Sequence, residues 1–582
     1  MRLPSAKSLS ENNRLLIFSL VVGLLSGLAS VLLLKSIGAV AALVSALLER
    51  TRYNWAFLVM PGLGMLMSLL LLRFVVRDNI SHGVTKVLVA ISKNESRIKV
   101  HNTWSSMLTS AVTIGLGGSV GAEAPIVYTG AAIGSNVARV AGLSYKNMTV
   151  LLGCGAAGAI AGIFKAPLAG VLFTMEILLF NISMSSMMPL LLSSVSAAVV
   201  SYIFMGAGPF FEGSLEAFSM RNIPFYAVLG LIGGFGSLYF LRTTLWLEDK
   251  LGSMKGVYGK WLLCAAGLGV LIFLFPTLYG EGYISIRGLL NGHLVVEESQ
   301  GTPLSGLLGS GTGVMLFLLM VFLLKVFAMT LTNAGGGVGG TFGPTLFEGA
   351  ILGFVVARAV NLLGFSVPEQ NFALVGMAAM MSGVMQAPLT AIFLVAEMTG
   401  GYGLLLPLII TSTVSFGTMR VFERYSIYSK RIANRGELLT HDNDQAVLTL
   451  LKTSQLVRDK YPRVGREDTL RQVVSVISSS TAAVLPVVDS QDRFLGLVDV
   501  DSARSFIFKT DSYDTLHVYD FMQAPPEYIY IDEHMSSVMS KFDRTQAWRL
   551  PVLDHDRHYM GFISRSRLLS AYREELKVIS QD

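Results

Sequence analysis

The sequence predicts an all-α polytopic membrane domain built from two repeats with broken helices, followed by a smaller, duplicated α/β soluble domain. Three observations carry this. Hydrophobic residues make up 52% of the 582 and charged residues only 14%, with a mean hydropathy of +0.57, too apolar for a soluble enzyme of this length. Motifs recur at nearly constant offsets in both parts of the chain. Many apolar runs are short or interrupted by Gly and Pro, which a bilayer tolerates only where the broken backbone is buried in protein or lines a cavity.

Taken in order, the run 15–34 is about long enough to cross a bilayer core. Arg2, Lys7 and Arg14 precede it and further spans follow at once, so it reads as a retained first helix with residues 1–14 cytoplasmic, not as a cleaved signal. Apolar runs recur at 15–48, 54–76, 105–116, 146–181, 186–206, 224–246, 259–275 and 313–333 and continue to about 420. Residues 15–435 therefore form the transmembrane domain. The net charge is +6 and the pI about 9.1. The basic residues fall in short clusters such as Lys93 to Lys99 and Lys430 to Arg435, a pattern that positive-inside topology explains and a nucleic-acid partner does not. Cys154 and Cys264 lie in apolar segments without metal-ligand spacing, so neither a disulfide framework nor a metal site is expected. The histidines, at 82, 101, 293, 441, 517, 534, 555 and 558, include no pair spaced i, i+4. A zinc hydrolase of the HExxH kind is thereby excluded, and no enzyme activity is expected.

The membrane part repeats itself. GCGAAGAIAGIFKAPLAGVLFTMEI, from Gly153, resembles GMAAMMSGVMQAPLTAIFLVAEM, from Gly376, with Gly155, Gly162, Pro167 and Glu176 matching Gly376, Gly383, Pro388 and Glu397. GAEAPIVYTGAAIG, from Gly121, matches GTFGPTLFEGAILG, from Gly340. Such repeats meet at a substrate site near the bilayer midplane. Glu176 and Glu397, at equivalent positions, read as packing or capping residues at interior helix ends.

Glu123 is a lone carboxylate in the uncharged run 115–134. Glycines at 115, 117, 118 and 121 discourage helix before it, and Pro125 is well tolerated in a first helical turn. Glu123 is thus expected at a helix start. Orphan N–H groups and the positive end of the helix dipole make an anion site there, and the carboxylate can compete for it. An intramembrane carboxylate is by default a functional residue. Lys86 and Lys165 read as cytoplasmic-side or vestibule charges able to steer anions.

After about Arg435 charges become frequent. A linker over 436–449 leads to two copies, 450–515 and 516–582. LPVVDSQDRFLGLV, from Leu485, resembles LPVLDHDRHYMGFI, from Leu550, and each copy reads as strand, Asp-rich turn, strand and helix.

From about residue 15 to 582 the chain resembles the CLC family of chloride channels and chloride/proton exchangers with a C-terminal pair of CBS domains. The family's Gly-Lys/Arg-Glu-Gly-Pro element appears as GAEAP at 121–125, its Gly-x-Phe-x-Pro element as GTFGP at 340–344, and its pore tyrosine as Tyr428 in SIYSKRIANRG. SHGVT at 81–85 fits the Gly-Ser-Gly-Ile-Pro element less well. The resemblance implies two inverted repeats and a homodimer with one pore per subunit. It implies chloride or a related anion held by helix-end groups of His82, Gly83, Ala122, Glu123, Ala124, Thr341 and Phe342 and by the Tyr428 hydroxyl. Glu123 becomes the gate, occupying an anion position and swinging away when protonated. His82 stands for a chloride-contacting serine, through its ring or its backbone; Thr85 replaces a proline, and Ala122 a basic residue. Ile177 occupies the place of the exchangers' inner proton glutamate, so the expectation is channel-like or uncoupled chloride transport. Chloride/proton antiport by another proton path is the alternative, and a CBS-containing membrane sensor with a degenerate pore is the reading from another class. The cell membrane, as in a bacterial inner membrane, is the expected location, with the CBS pair cytoplasmic. The ribose-binding signature of CBS pairs, Ser/Thr followed three positions later by Asp, is missing from DVDS at 499–502 and SRSR at 564–567. No cofactor is therefore expected, and a structural or dimerising tail is favoured over adenine-nucleotide sensing.

Overall fold

The computed structural model describes residues 11–49, 56–178, 184–211, 216–291, 304, 311–433, 448, 451–458, 461–480, 482–508 and 510–580. It divides into two compact units, Met1–Leu439 and Thr440–Asp582. Residues 1–10 of the expected cytoplasmic N-terminus, and the 436–449 linker apart from Leu448, lie outside the described residues.

In the first unit, one half comprises α1 (Glu11–Glu49), α2 (Ala56–Leu70), α3 (Gly83–Lys93), α4 (Ser105–Gly115), α5 (Glu123–Val140), α6 (Tyr145–Phe164), α7 (Pro167–Phe173) and α8 (Met184–Met205). The other comprises α9 (Ile223–Gly252), α10 (Val257–Leu274), α11 (Tyr283–Leu290), α12 (Gly311–Ala334), α13 (Phe342–Leu362), α14 (Glu369–Met385), α15 (Pro388–Met398) and α16 (Leu405–Phe422), with α17 (Ile427–Ala433) after it. Among the described residues, nine helical stretches are long and apolar enough to cross a membrane. Packing repeats with sequence: α1 packs on α6 and α8 as α9 packs on α14 and α16, and α5 packs on α6 as α13 does on α14.

The reason lies in matched glycines. Helices in lipid gain little from hydrophobic association and rely on close backbone approach. A Cβ on Gly130 would stand 2.1 Å from the Gly155 carbonyl oxygen, and one on Gly349 would stand 2.4 Å from that of Gly376. Gly155→Ala is therefore expected to force α5 and α6 apart and cost about 1–3 kcal/mol, measurable as a lower unfolding midpoint in detergent. An unchanged midpoint would contradict this packing.

The apolar run 146–181 is not one helix. Lys165 ends α6 in the left-handed region at φ +56°, and Pro167 opens α7; Gln386, at φ +53°, and Pro388 do the same between α14 and α15. Lys165 corrects an expectation. Its Nζ donates to the carbonyls of Gly206 (2.8 Å) and Gly208 (2.9 Å) just beyond α8, and the residue is buried. It serves as a cap on the segment that leaves α8, not as a vestibule charge.

The second unit holds two three-stranded sheets of identical order, β1 (Val464–Gly465), β2 (Val484–Val488), β3 (Phe494–Asp499) and β4 (Ile529–Tyr530), β5 (Arg549–Leu553), β6 (Tyr559–Ser564). In each, a short first strand runs parallel to the second and the third returns antiparallel, with a register shift at Val487/Val488 and again at Val552/Leu553. The expected strand, turn, strand and helix are all present. Asp489 Oδ1 accepts the amides of Gln491 and Arg493, both at 2.9 Å, to close the first turn, and Asp554 Oδ1 accepts that of His558 at 2.7 Å in the second. Helices Val500–Ile507 and Arg565–Ser580 follow. The sequence reading missed the short first strands and the helices Leu470–Ser479 and Met535–Thr545, whose Val473 and Phe542 fill separate cores under each sheet.

An exposed pair in this unit gives a pH prediction. The hydrogen bond between His555 Nε2 and Asp532 Oδ2 (3.0 Å) raises the pKa of the imidazole and lowers that of the carboxylate. The His555 contribution is complete below the ordinary imidazole pKa and is lost as pH rises through the raised value. That of Asp532 is complete above the ordinary carboxylate range and is lost as pH falls through the lowered value. The pair therefore acts in the window between. Asp532→Asn is expected to return the His555 titration, read by NMR, toward the ordinary imidazole pKa of about 6.5.

Candidate functional site: paired helix ends between the repeats

Gly121 and Gly340 exchange two backbone hydrogen bonds, 3.0 Å from the Gly121 amide and 2.7 Å from the Gly340 amide. They lie just ahead of α5 and α13, so the bridge sets the first turns of the two helices side by side. Their orphan N–H groups and dipole ends converge on one place. Glu123 is the first residue of α5 and 1% exposed. Its Oε2 accepts the Gly343 amide (3.2 Å) in the first turn of α13, while its Oε1 accepts the Tyr283 hydroxyl. The lone carboxylate of one repeat thus occupies the helix end of the other. A monovalent anion would need the same donors, which makes the carboxylate its competitor. Gly121 leaves the room for this, since a Cβ there would meet Glu123 Oε2 at 2.1 Å. Gly121→Ala is expected to dislodge the carboxylate, which a structure of the variant would show as loss of the contact between Glu123 and the Gly343 amide.

The other expected residues surround this point. Ala122 and Thr341 are the N-cap residues of α5 and α13. The Ala122 amide donates to Glu281 Oε1 at 3.0 Å. Ala124 is buried, and Gly83, at the start of α3, approaches it so closely that a Cβ would lie 2.5 Å from the Ala124 carbonyl oxygen. The hydroxyls of Thr341 and Tyr428 are buried beside each other. The Phe342 ring stacks on Phe164 (centroids 5.7 Å apart) and meets Phe173 edge-on, so it is a packing wall, while its backbone stays at the helix end. His82 caps α3 at φ +57°, and its Nε2 lies 4.0 Å from Glu248 Oε1. Glu248 in turn takes two hydrogen bonds from Arg431, at 2.6 and 3.2 Å. That direction of the ring leaves backbone as the part of His82 nearest the α3 start. Ile177 is buried in the π-helical turn Thr174–Leu178 that follows α7.

Glu176 and Glu397 are reciprocal caps. Glu176 accepts the amides of Leu389 (3.0 Å) and Thr390 (2.7 Å) and the Thr390 hydroxyl (2.6 Å) at the start of α15. Glu397 accepts those of Leu168 (3.0 Å) and Ala169 (2.9 Å) at the start of α7. Each satisfies orphan donors of the opposite repeat, as their equivalent positions had implied.

Four residues escaped the sequence reading. Lys325 is fully buried on α12, its Nζ donating to Ser119 Oγ (2.8 Å) and the Gly280 carbonyl (3.0 Å) and lying 4.8 Å from the Phe347 ring centroid. Its carboxylate neighbours are Glu348 and Glu281. Both oxygens of Glu348 are buried. Lys325 and Glu348 were detectable by the rule that singled out Glu123, a charge inside an apolar run. Glu281 and Tyr283 sit between runs in an ordinary-looking GEGY, with no local signal.

A family model described as voltage gated chloride channel matches residues 63–420. The chain belongs to the voltage gated chloride channel family. A CBS domain model matches residues 518–574 of this CLC chain. The H(+)/Cl(−) exchange transporter ClcA of Salmonella arizonae is 30% identical over 411 residues, covering 68% of this chain and 83% of its own. The chloride channel protein CLC-f of Arabidopsis thaliana is 26% identical over 454 residues, covering 69% and 56%. A solved structure, of a eukaryotic CLC transporter, aligns over 95% of this chain and 98% of that one with a TM-score of 0.59 at 17% identity, a likeness of fold. The CLC chain is thus a multi-pass membrane protein with a C-terminal CBS region, and its family match encloses the whole helix-end cluster except Tyr428.

Proposed function

We propose that this chain carries chloride across the membrane along a path of its own in each subunit of a homodimer, with Glu123 as the gate. The observation that supports it is the seat of the Glu123 carboxylate on the Gly343 amide at the start of α13, where an anion would bind. Gly83, Ala122, Ala124, Thr341, Phe342 and Tyr428 are the remaining anion-side residues of the proposal, and His82 contributes backbone. Ile177 cannot carry a proton, which favours channel-like or uncoupled transport. One observation favours chloride/proton exchange as a second reading: the half-buried Glu281 and the buried Lys325 and Glu348 supply titratable groups other than the position of Ile177. In this proposal the CBS pair is a cytoplasmic, dimerising tail, and the membrane is that of a bacterial cell.

The test is simultaneous chloride and proton flux from chloride-loaded liposomes holding the purified protein. Chloride efflux without pumped protons supports the channel-like reading. Efflux that drives proton uptake against a gradient establishes exchange. No flux of chloride, nitrate or fluoride at any pH would sink transport and leave the sensor reading.

A further inference from the structure

The start of α11 is the second repeat's counterpart of the start of α3. Each helix opens after an N-cap residue with positive φ, His82 at +57° and Gly282 at +94°. A Cβ on Gly83 would meet Tyr128 of α5, and one on Gly282 would meet Phe347 of α13, at 3.0 and 2.4 Å; Tyr128 and Phe347 are equivalent positions of the repeat. The first-repeat turn contributes to the expected anion path. Its counterpart, Gly280–Tyr283, carries a carboxylate and a phenol instead of small groups, and both reach the helix ends. Glu281 accepts the Ala122 amide at 3.0 Å, and Tyr283 donates to Glu123. The turn is anchored from outside itself: Lys325 holds the Gly280 carbonyl and Ser119 Oγ, and Ser119 Oγ donates to the Leu278 carbonyl at 2.6 Å.

We propose that the Gly280–Tyr283 turn is a second gating element, in which Glu281 sits on the amide end of α5 as a tethered anion and Tyr283 holds Glu123 in the closed position. This rests on the chloride-transport reading. Two protein carboxylates then cover the two paired helix ends, Glu281 on α5 and Glu123 on α13. A third anion beside both is disfavoured by like charge, so one carboxylate must leave or be neutralised before chloride enters. Tyr283 is a positioning residue: its hydroxyl retains Glu123 on Gly343. The titratable and charged groups facing the pair are Tyr283 of α11, Lys325 of α12 and Tyr428 of α17, with Glu348 of α13 beyond them beside Lys325.

Two conservative variants of the full chain, Tyr283→Phe and Glu281→Gln, test this, each alone and combined with Glu123→Ala. A hydrogen bond to a charged group is worth roughly a ten- to hundredfold bias. Tyr283→Phe is expected to raise the initial chloride efflux from liposomes about tenfold in the wild-type background and to change nothing in Glu123→Ala, where no carboxylate remains to be held. An equal change in both backgrounds would make Tyr283 a packing residue, and a change below about twofold in the wild type would overturn the latch. Calorimetry with sodium chloride on the detergent-solubilised protein covers Glu281. Glu281→Gln is expected to tighten chloride binding about tenfold; unchanged or weaker binding would overturn its role. Should neither wild type nor Glu123→Ala carry chloride, the transport reading fails, and the calorimetry still decides whether Glu281 competes with chloride at α5.

Discussion

Glu123→Ala is expected to raise chloride efflux at neutral pH by about a hundredfold and to strip it of its pH dependence. The carboxylate is held by one amide and one hydroxyl, and each hydrogen bond to a charged acceptor is worth about 1.5–3 kcal/mol. Leaving the closed seat therefore costs on the order of 3–6 kcal/mol unless protonation weakens the hold. Alanine has nothing to seat. Glu123→Gln keeps the volume, loses the charge and is expected to fall between the two. Efflux measured across pH 4 to 8, roughly the span in which carboxylates with shifted pKa values titrate, is the check. An alanine variant that kept the wild-type pH profile would remove Glu123 from the gate.

The second large effect is on stability. Lys325→Met is expected to destabilise the membrane unit by about 1–3 kcal/mol, the cost of leaving the Gly280 carbonyl without the donor that holds it. Glu348, buried on α13, then loses its electrostatic interaction with Lys325. Glu348→Gln on top of Lys325→Met is expected to cost less than the sum of the two single variants, because the interaction between the two side chains is already lost in the first. Unfolding midpoints of the two single variants and the double variant in detergent form the cycle. Strict additivity would show that the two side chains do not interact.

The contrast between Glu123 and Lys165 shows how far local rules reach. In the sequence Glu123 reads as a lone carboxylate in an uncharged run, and Lys165 as a cytoplasmic-side or vestibule charge. For Glu123 the flanking glycines and Pro125 specify a helix start, which is a local property, and the residue does open α5. For Lys165 the local pattern specifies only a break. Its role came from the carbonyls of Gly206 and Gly208, about two helices further along the chain. Glu176 and Glu397 were legible as caps because the repeat exposed them as a pair, although which amides they cap was not.

Composition and periodicity, acting through the solubility of apolar runs and the conformational limits of Gly and Pro, determined the membrane class, the doubling of both units, the helix start at Glu123 and the absence of a titratable group at Ile177. These follow from interactions within a few residues or from simple matching of the two halves. Only the tertiary structure decided that Glu123 rests on an amide 220 residues away in Gly343, that the Tyr283 hydroxyl also donates to Glu123, and that Glu281 takes the Ala122 amide at the start of α5. Those pairings exist because the Gly121–Gly340 bridge brings two helix ends together, and no residue within either segment encodes the neighbour it will meet.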